Sequence, residues 1–264
     1  MTKIPPYQFS VIIGLLLSDG WLTIASATNK NARLGFKQSL AKGDYVWFVF
    51  NELSHYCSSY PNFTKGIRAG KPFYGLQFFT RSLPCFTELN SLFYPEGTKI
   101  IPSNIYDLLT PVALAHLIMG DGSSKQYSLL ICTDSYSIPD VVRLMNVLMI
   151  KYEIDCSLRF HTPTQPRIHI KQKSMPKLRA IVGPFTHDTM MYKLGKAQSS
   201  IEHLTLDGLN IINHIKSGMN IGRNLPPEEE ELNKNHNLNI NPPLPFGART
   251  HSNRKNNASK RSAC

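Results

Sequence analysis

Residues 11–22 read VIIGLLLSDGWL, an apolar run that finishes on a bare carboxylate, Asp19, followed at once by Gly20. Nothing charged lies between Val11 and Leu17. If the run is a helix, a negative charge at its C-terminal end opposes the dipole and costs about 0.3–1 kcal/mol. One such residue carries little weight, but the pattern returns. Residues 113–124 read ALAHLIMGDGSS, and again an apolar stretch closes on Asp-Gly, here Asp121 and Gly122. A separation of about a hundred residues is far too long for a solenoid repeat. Two copies at domain spacing imply a pseudo-symmetric molecule with its two aspartates at matching places.

The chain around each copy repeats one order of elements. In the first, Ser10 is placed as N-cap and Gly20 as the left-handed residue that ends the helix. Trp21–Ser26 and Arg33–Gln38 alternate as a hairpin, and Asp44–Tyr56 puts Val46, Val49, Phe50, Leu53 and Tyr56 on one helical stripe. Phe73–Thr80 is a further strand, paired with Gly66–Ala69, and Leu83–Phe93 is a helix. In the second copy a helix over Thr110–Asp121 precedes a strand at Tyr127–Thr133. Pro139 then opens a helix that reaches Tyr152. Cys156–Phe160 and Arg167–Lys171 form a hairpin, and Met175–Val182 a last helix. The fold class is α+β, two αββαββα halves spanning residues 1–105 and 106–200. Residues 201–264, rich in Asn and with four consecutive glutamates from Glu228 to Glu231, are expected to be a largely disordered tail.

The 264 residues carry 29 Lys and Arg against 18 Asp and Glu, a net charge of +11, which favours an anionic partner. Most of that excess lies in the first 200 residues. No apolar run approaches the roughly 18 to 20 residues of a membrane span, so no membrane partner is expected. Met1–Ser10 has neither the order of a secretory signal nor the look of a transit peptide. Five cysteines without a CxxC spacing support neither a disulfide framework nor a thiolate zinc site. His161 and His169 flank a turn, but no further ligand completes a zinc site.

The pair IIGLLLSDG (12–20) and LAHLIMGDG (114–122) resembles the double motif of the LAGLIDADG homing endonucleases, in the single-chain form found in organellar introns. The resemblance extends to FFTRSLPCFTELNSLFYPEGTKIIPSNI (78–105) and MMYKLG (190–195), and covers roughly residues 8–198. It implies that the two motif helices pack side by side at the interface of the halves, and that antiparallel sheets form a DNA-binding saddle. It implies that Asp19 and Asp121, with Gly20 and Gly122 beside them, bind Mg2+ or Mn2+, hard cations suited to oxygen ligands. By the same resemblance Lys99 and Lys193 are the basic residues near the metal, and Gln38 and Thr133 order water at corresponding strand ends. Gly14 and Ser18, and Ala115 and Gly120, are the small residues such a helix crossing needs. His116 stands where the first copy has Gly14, and packing is its expected role.

Recognition falls to the strands, because a twisted two-stranded ribbon fits the major groove. Arg33, Lys37, Arg68, Lys71, Gln77 and Arg81 are the candidates in the first half. Lys125, Gln126, Arg159, Arg167, His169, Lys171 and Lys173 are those in the second. The implied function is a monomeric, metal-dependent, site-specific double-strand DNA endonuclease of a mitochondrial intron. The alternatives are a maturase acting on group I intron RNA and a DNA-binding regulator.

Overall fold

The computed structural model describes residues 3–25, 30–68 and 70–195, with the backbone alone at Arg68. The expectation of a disordered tail therefore lies outside the described residues. The first half runs α1 (Pro6–Leu17), β1 (Gly20–Ile24), β2 (Ala32–Ser39), α2 (Gly43–Leu53), β3 (Asn62–Arg68), β4 (Lys71–Phe79) and α3 (Pro84–Phe93). After a one-turn helix, α4 (Ile105–Leu108), the second half runs α5 (Pro111–Asp121), β5 (Gly122–Lys125), β6 (Ser128–Cys132), α6 (Ile138–Lys151), β7 (Cys156–Phe160), β8 (Pro166–Ile170) and α7 (Met175–Val182). Each half builds one antiparallel four-stranded sheet, and the two sheets share an order: β1-β2-β4-β3 and β5-β6-β8-β7. This is the αββαββα repeat the sequence implies.

The motif helices are apolar all round because they are buried all round. In α1 every residue from Ser10 to Leu17 is buried, and in α5 every residue from Val112 to Gly120. They cross at their small residues. A methyl at Gly14 would lie 2.5 Å from both the Ala113 carbonyl oxygen and His116 Cβ, and one at Gly120 would lie 2.4 Å from Ser18 Oγ. Each glycine thus makes room for the bulkier residue of the other helix, and the departure at His116 is accommodated by Gly14.

Strand alternation divides each sheet into a covered and an uncovered face. In the first, Leu22, Leu34, Phe36, Leu76 and Phe78 enter the core, whereas Trp21, Arg33, Lys37, Gln77 and Phe79 on the opposite face are only partly buried. In the second, Leu129, Ile131, Ile168 and Ile170 are buried, and Ser128, Leu130, Cys132, Arg167 and His169 are not fully covered. Between the halves, helix α6 holds the connecting chain through its backbone. Arg143 Nη1 donates to the Ile101 carbonyl at 2.6 Å, while Lys151 and the Tyr152 hydroxyl both donate to that of Leu109.

Several local expectations change. Helix α1 begins at Pro6, and Ser10 lies inside it with its hydroxyl bonded to the Pro6 carbonyl, so Ser10 is not a cap. Gly20 is not left-handed: the positive-φ glycines among the described residues are Gly70, Gly97 and Gly195. Gly20 instead opens β1 so close to α1 that a Cβ would lie 2.8 Å from the Leu15 carbonyl oxygen. Gly122 opens β5 in the same way, 2.5 Å from the Ile118 carbonyl oxygen by the same measure, and supplies a strand that has no alternating apolar pattern to betray it. Strand β3 is longer than the Gly66–Ala69 segment expected, starting at Asn62. The expected stripe on α2 is buried throughout, Tyr56 included, although the helix ends at Leu53 and gives way to a short 3-10 turn.

Candidate DNA-cleaving centre

Both aspartates emerge where a buried helix turns sharply into the first strand of its sheet. Asp19 follows the end of α1, and Asp121 is the last residue of α5. The crossing brings them together: a methyl on Gly120 would approach Asp19 Oδ2 to 3.1 Å. Burial first, then repulsion from Asp19, pushes the Asp121 carboxyl up to about 7, against the pull of Lys99, Lys193 and Lys42. Two carboxylates share a partly desolvated space.

The two lysines are anchored in matching ways. Lys99 Nζ donates to the carbonyls of Ser18 and Gly20 at 3.0 and 2.9 Å, and Lys193 Nζ donates to the Gly120 carbonyl at 2.5 Å. Each therefore satisfies a carbonyl at the end of its own half's motif helix that has no partner within the helix, and Lys99 also bonds the carbonyl of Gly20 at the start of β1. Burial brings both ammonium groups down to about 8 against the two aspartates, with Lys42 repelling Lys193 as well. Lys193 reaches this place from a 3-10 segment, Asp188–Leu194, that ends on the left-handed Gly195.

Gln38 and Thr133 hold equivalent register positions. Gly20 pairs with Phe36 and Gly122 with Ile131, and each candidate lies two residues further along its strand path. Their bonds differ, however. Gln38 donates its amide to Asp19 Oδ2, whereas Thr133 donates its hydroxyl to the Pro166 carbonyl at 2.6 Å and is buried. The centre is thus asymmetric in its supporting polar groups.

Beneath it lie groups that sequence reasoning missed. The Tyr136 hydroxyl reaches across the halves to the Leu16 and Leu17 carbonyls, at 3.3 and 3.2 Å. Tyr45, fully buried, bonds through its hydroxyl to His116 Nδ1 at 2.9 Å, and the Phe48 ring stacks on the imidazole. Position 45 immediately precedes the apolar stripe of α2, which was the available signal. His116 is packed, as expected, and its Nε2 has no partner among the described residues. Burial holds its pKa down at about 3 against an ordinary 6.5. In that window the unfolded chain binds a proton the folded chain refuses, so this residue removes stability as pH falls below 6.5, by about 1.4 kcal/mol per pH unit. Asp121, with its carboxyl raised, acts in the opposite sense, but equally in wild type and variant. Denaturant titrations of wild type and His116→Gln at two acidic pH values are expected to show the steeper loss in wild type. Parallel losses would contradict a neutral buried imidazole.

The recognition candidates separate by environment. Arg33, Lys37 and Gln77 lie on the uncovered face of the first sheet, Arg33 stacked 4.1 Å over the Phe79 ring and Lys37 5.5 Å from that of Phe73. Trp21 and Phe79 cover Gly35 on the same face so closely that a Cβ there would meet the indole at 2.5 Å. Lys71 and Arg68 pair across the β3–β4 turn. Arg81 turns away, donating to the Tyr56 and His55 carbonyls. In the second half Lys125 and Gln126 form the exposed end of the β5–β6 hairpin, and Arg159 is exposed opposite Arg167. His169 is held between Ser128 Oγ at 3.1 Å and Ser157 Oγ at 3.5 Å. Lys171 follows the end of β8, and Lys173 lies beyond it in a turn, paired with Asp155.

No helix among the described residues is long and apolar enough to cross a membrane, and no group of three or more His, Cys, Asp or Glu side chains gathers there to hold a metal. Comparison with known proteins gives a match to the LAGLIDADG DNA endonuclease family over residues 9–178. A cytochrome b mRNA maturase, bI2, of Debaryomyces hansenii is 29% identical over 197 residues, covering 71% of this chain and 73% of that protein. The intron-encoded endonuclease ai4 of Dictyostelium discoideum is 30% identical over 127 residues, 47% of this chain and 80% of that protein. Among solved structures, the homing endonuclease I-WcaI bound to its DNA recognition sequence superposes with a TM-score of 0.68 at 25% identity, covering 74% of this chain and 88% of that one.

Proposed function

We propose, because the chain belongs to the LAGLIDADG DNA endonuclease family, that it is a site-specific double-strand DNA endonuclease with one composite centre at the ends of α1 and α5. The observation that carries this reading is the juxtaposition of Asp19 and Asp121, each attended by an anchored lysine. The two halves, taken as residues 1–105 and 106–200, would each supply a sheet whose uncovered face meets DNA. Residues 201–264 are not assigned to the cutting centre. The protein would act as a monomer, and its mitochondrial location is part of the same proposal, supported by a relative that is a maturase of cytochrome b mRNA.

The donor set suits a hard divalent cation, Mg2+ or Mn2+. Its ligands are the carboxylate oxygens of Asp19 and Asp121, and a cation there would offset the burial and mutual repulsion that raise the Asp121 carboxyl. Asp19 and Asp121 would hold the ion. The Gly20 carbonyl, already accepting from Lys99, contributes less than the resemblance implies. When bound, the cation stabilises charge on the phosphate and acidifies water. The remaining work falls to the chain's own groups. Gln38 fixes the orientation of the Asp19 carboxylate, and Lys99 and Lys193, poised near neutral pH, bring a proton or positive charge to one leaving oxygen each.

This predicts a strand bias. On a supercoiled plasmid carrying the joined exons of the host gene, Lys99→Met and Lys193→Met should each slow one strand about tenfold or more and accumulate nicked circles. Equal slowing of both strands by either variant would contradict the division of labour. Thermal melting accompanies the assay, since each change also strips helix-end carbonyls of a partner. A second reading, assistance of intron RNA splicing, is favoured by the maturase relative. Retention of both aspartates supports cleavage.

A further inference from the structure

We infer, on the reading that this chain binds double-stranded DNA, that Arg167 and Asp134 form a preset guanine reader in the second half. Arg167 would touch the base, and Asp134 would be its positioning residue. Arg167 lies on the uncovered face of β8, opposite Cys132. Its Nε donates to Asp134 Oδ1 and its Nη2 to Oδ2, both at 2.7 Å, and both side chains keep part of their surface open to solvent. This pairing uses the side edge of the guanidinium. The terminal edge, with one N–H from Nη1 and one from Nη2, meets no acceptor among the described residues.

Three considerations give that arrangement a purpose. A carboxylate on the face that approaches phosphates is electrostatically unfavourable in a chain of net charge +11. As a tie between β8 and the turn after β6 it has little value, because partly exposed ion pairs stabilise weakly. Its remaining effect is to immobilise the arginine before binding, so that less side-chain freedom is lost on contact. Two parallel N–H groups match the O6 and N7 acceptors that guanine presents in the major groove, whereas adenine offers a donor in place of O6.

The register also locates the base. Cys132 is one residue beyond Ile131, which faces Gly122 next to Asp121. The guanine therefore belongs to the inner part of its half-site, near the cleavage centre. The matching place in the first half, opposite Lys37, is Gln77, whose amide suits adenine instead. The two halves are not set to read the same base there.

The test is selection of bound duplexes from a randomised DNA library by the full-length protein, with divalent metal chelated so that nothing is cut. Wild type is expected to enrich guanine at one inner position, with discrimination of roughly ten- to a hundredfold. Arg167→Lys keeps the charge but not the flat fork, and should erase that preference, with affinity for the guanine-bearing site falling by about the same factor and the other positions of the profile unchanged. Asp134→Ala should broaden the same position and leave the others unchanged; Asp134→Asn serves if the alanine variant does not fold. Guanine persisting in Arg167→Lys, or an unchanged profile in the Asp134 variants, would overturn the inference while leaving the DNA reading intact. No enriched sequence with wild type would remove both.

Discussion

Replacing either motif aspartate by asparagine is expected to leave DNA binding within a few-fold of wild type and to slow cleavage of both strands at least about a hundredfold. The amide has almost the shape of the carboxylate, so the crossing of α1 and α5 is undisturbed. It has no charge and half the acceptor capacity, so a hard cation loses its anionic ligand. Because Asp19 and Asp121 face one space rather than two, neither strand should be spared in either variant. Repulsion within the pair also falls, so both variants should melt no lower than wild type. Gel-shift titration with strand-labelled duplexes reads binding and each cut separately. A variant that still cut one strand at the wild-type rate would show that each aspartate serves its own site.

Gly14→Ala should lower stability by about 3 kcal/mol, one of the largest effects available to a single methyl in this chain. The added carbon would lie 2.5 Å from both a backbone oxygen and a backbone-proximal carbon of α5, and neither can swing away. The two helices must separate, and with them the two aspartates. The melting temperature is expected to fall by about 6–12 °C, together with cleavage activity. Gly66→Ala is the control: it lies inside strand β3, with extended backbone, and no atom beyond its chain neighbours comes within 4 Å of the new carbon. It should be neutral or stabilising by about 0.5–1 kcal/mol. Equal melting of the two variants would contradict the close crossing.

The centre was legible in the sequence because its determinants are local. Asp19 and Asp121 end apolar runs, and Lys99 and Lys193 belong to segments that the family resemblance carries. The lysines' bonds to the Ser18, Gly20 and Gly120 carbonyls were not legible, since they join residues 73 to 81 positions apart in the chain. Gly20 misled for a physical reason. Glycine after a helix usually supplies positive φ, but here it supplies proximity, which no spacing rule distinguishes. Strand β5, reading GSSK, has no apolar alternation and is fixed by pairing with β6. Among the recognition candidates, residue type alone could not separate Arg81, tied to loop carbonyls, from Arg33, stacked on the uncovered face. Asp134 carries no local signal, because it lies in the turn after β6 and meets Arg167 only through the fold, 33 residues on.

Incubation of the purified wild-type protein with a supercoiled plasmid carrying the joined exons, in magnesium and then with the metal chelated, tests most directly whether the two halves build one DNA-cutting centre. The account predicts linear plasmid with both strands cut at one site in magnesium, and intact supercoils on chelation with the protein still bound. Bound but uncut plasmid in magnesium, with faster splicing of the host intron's RNA when the same protein is added, would contradict it.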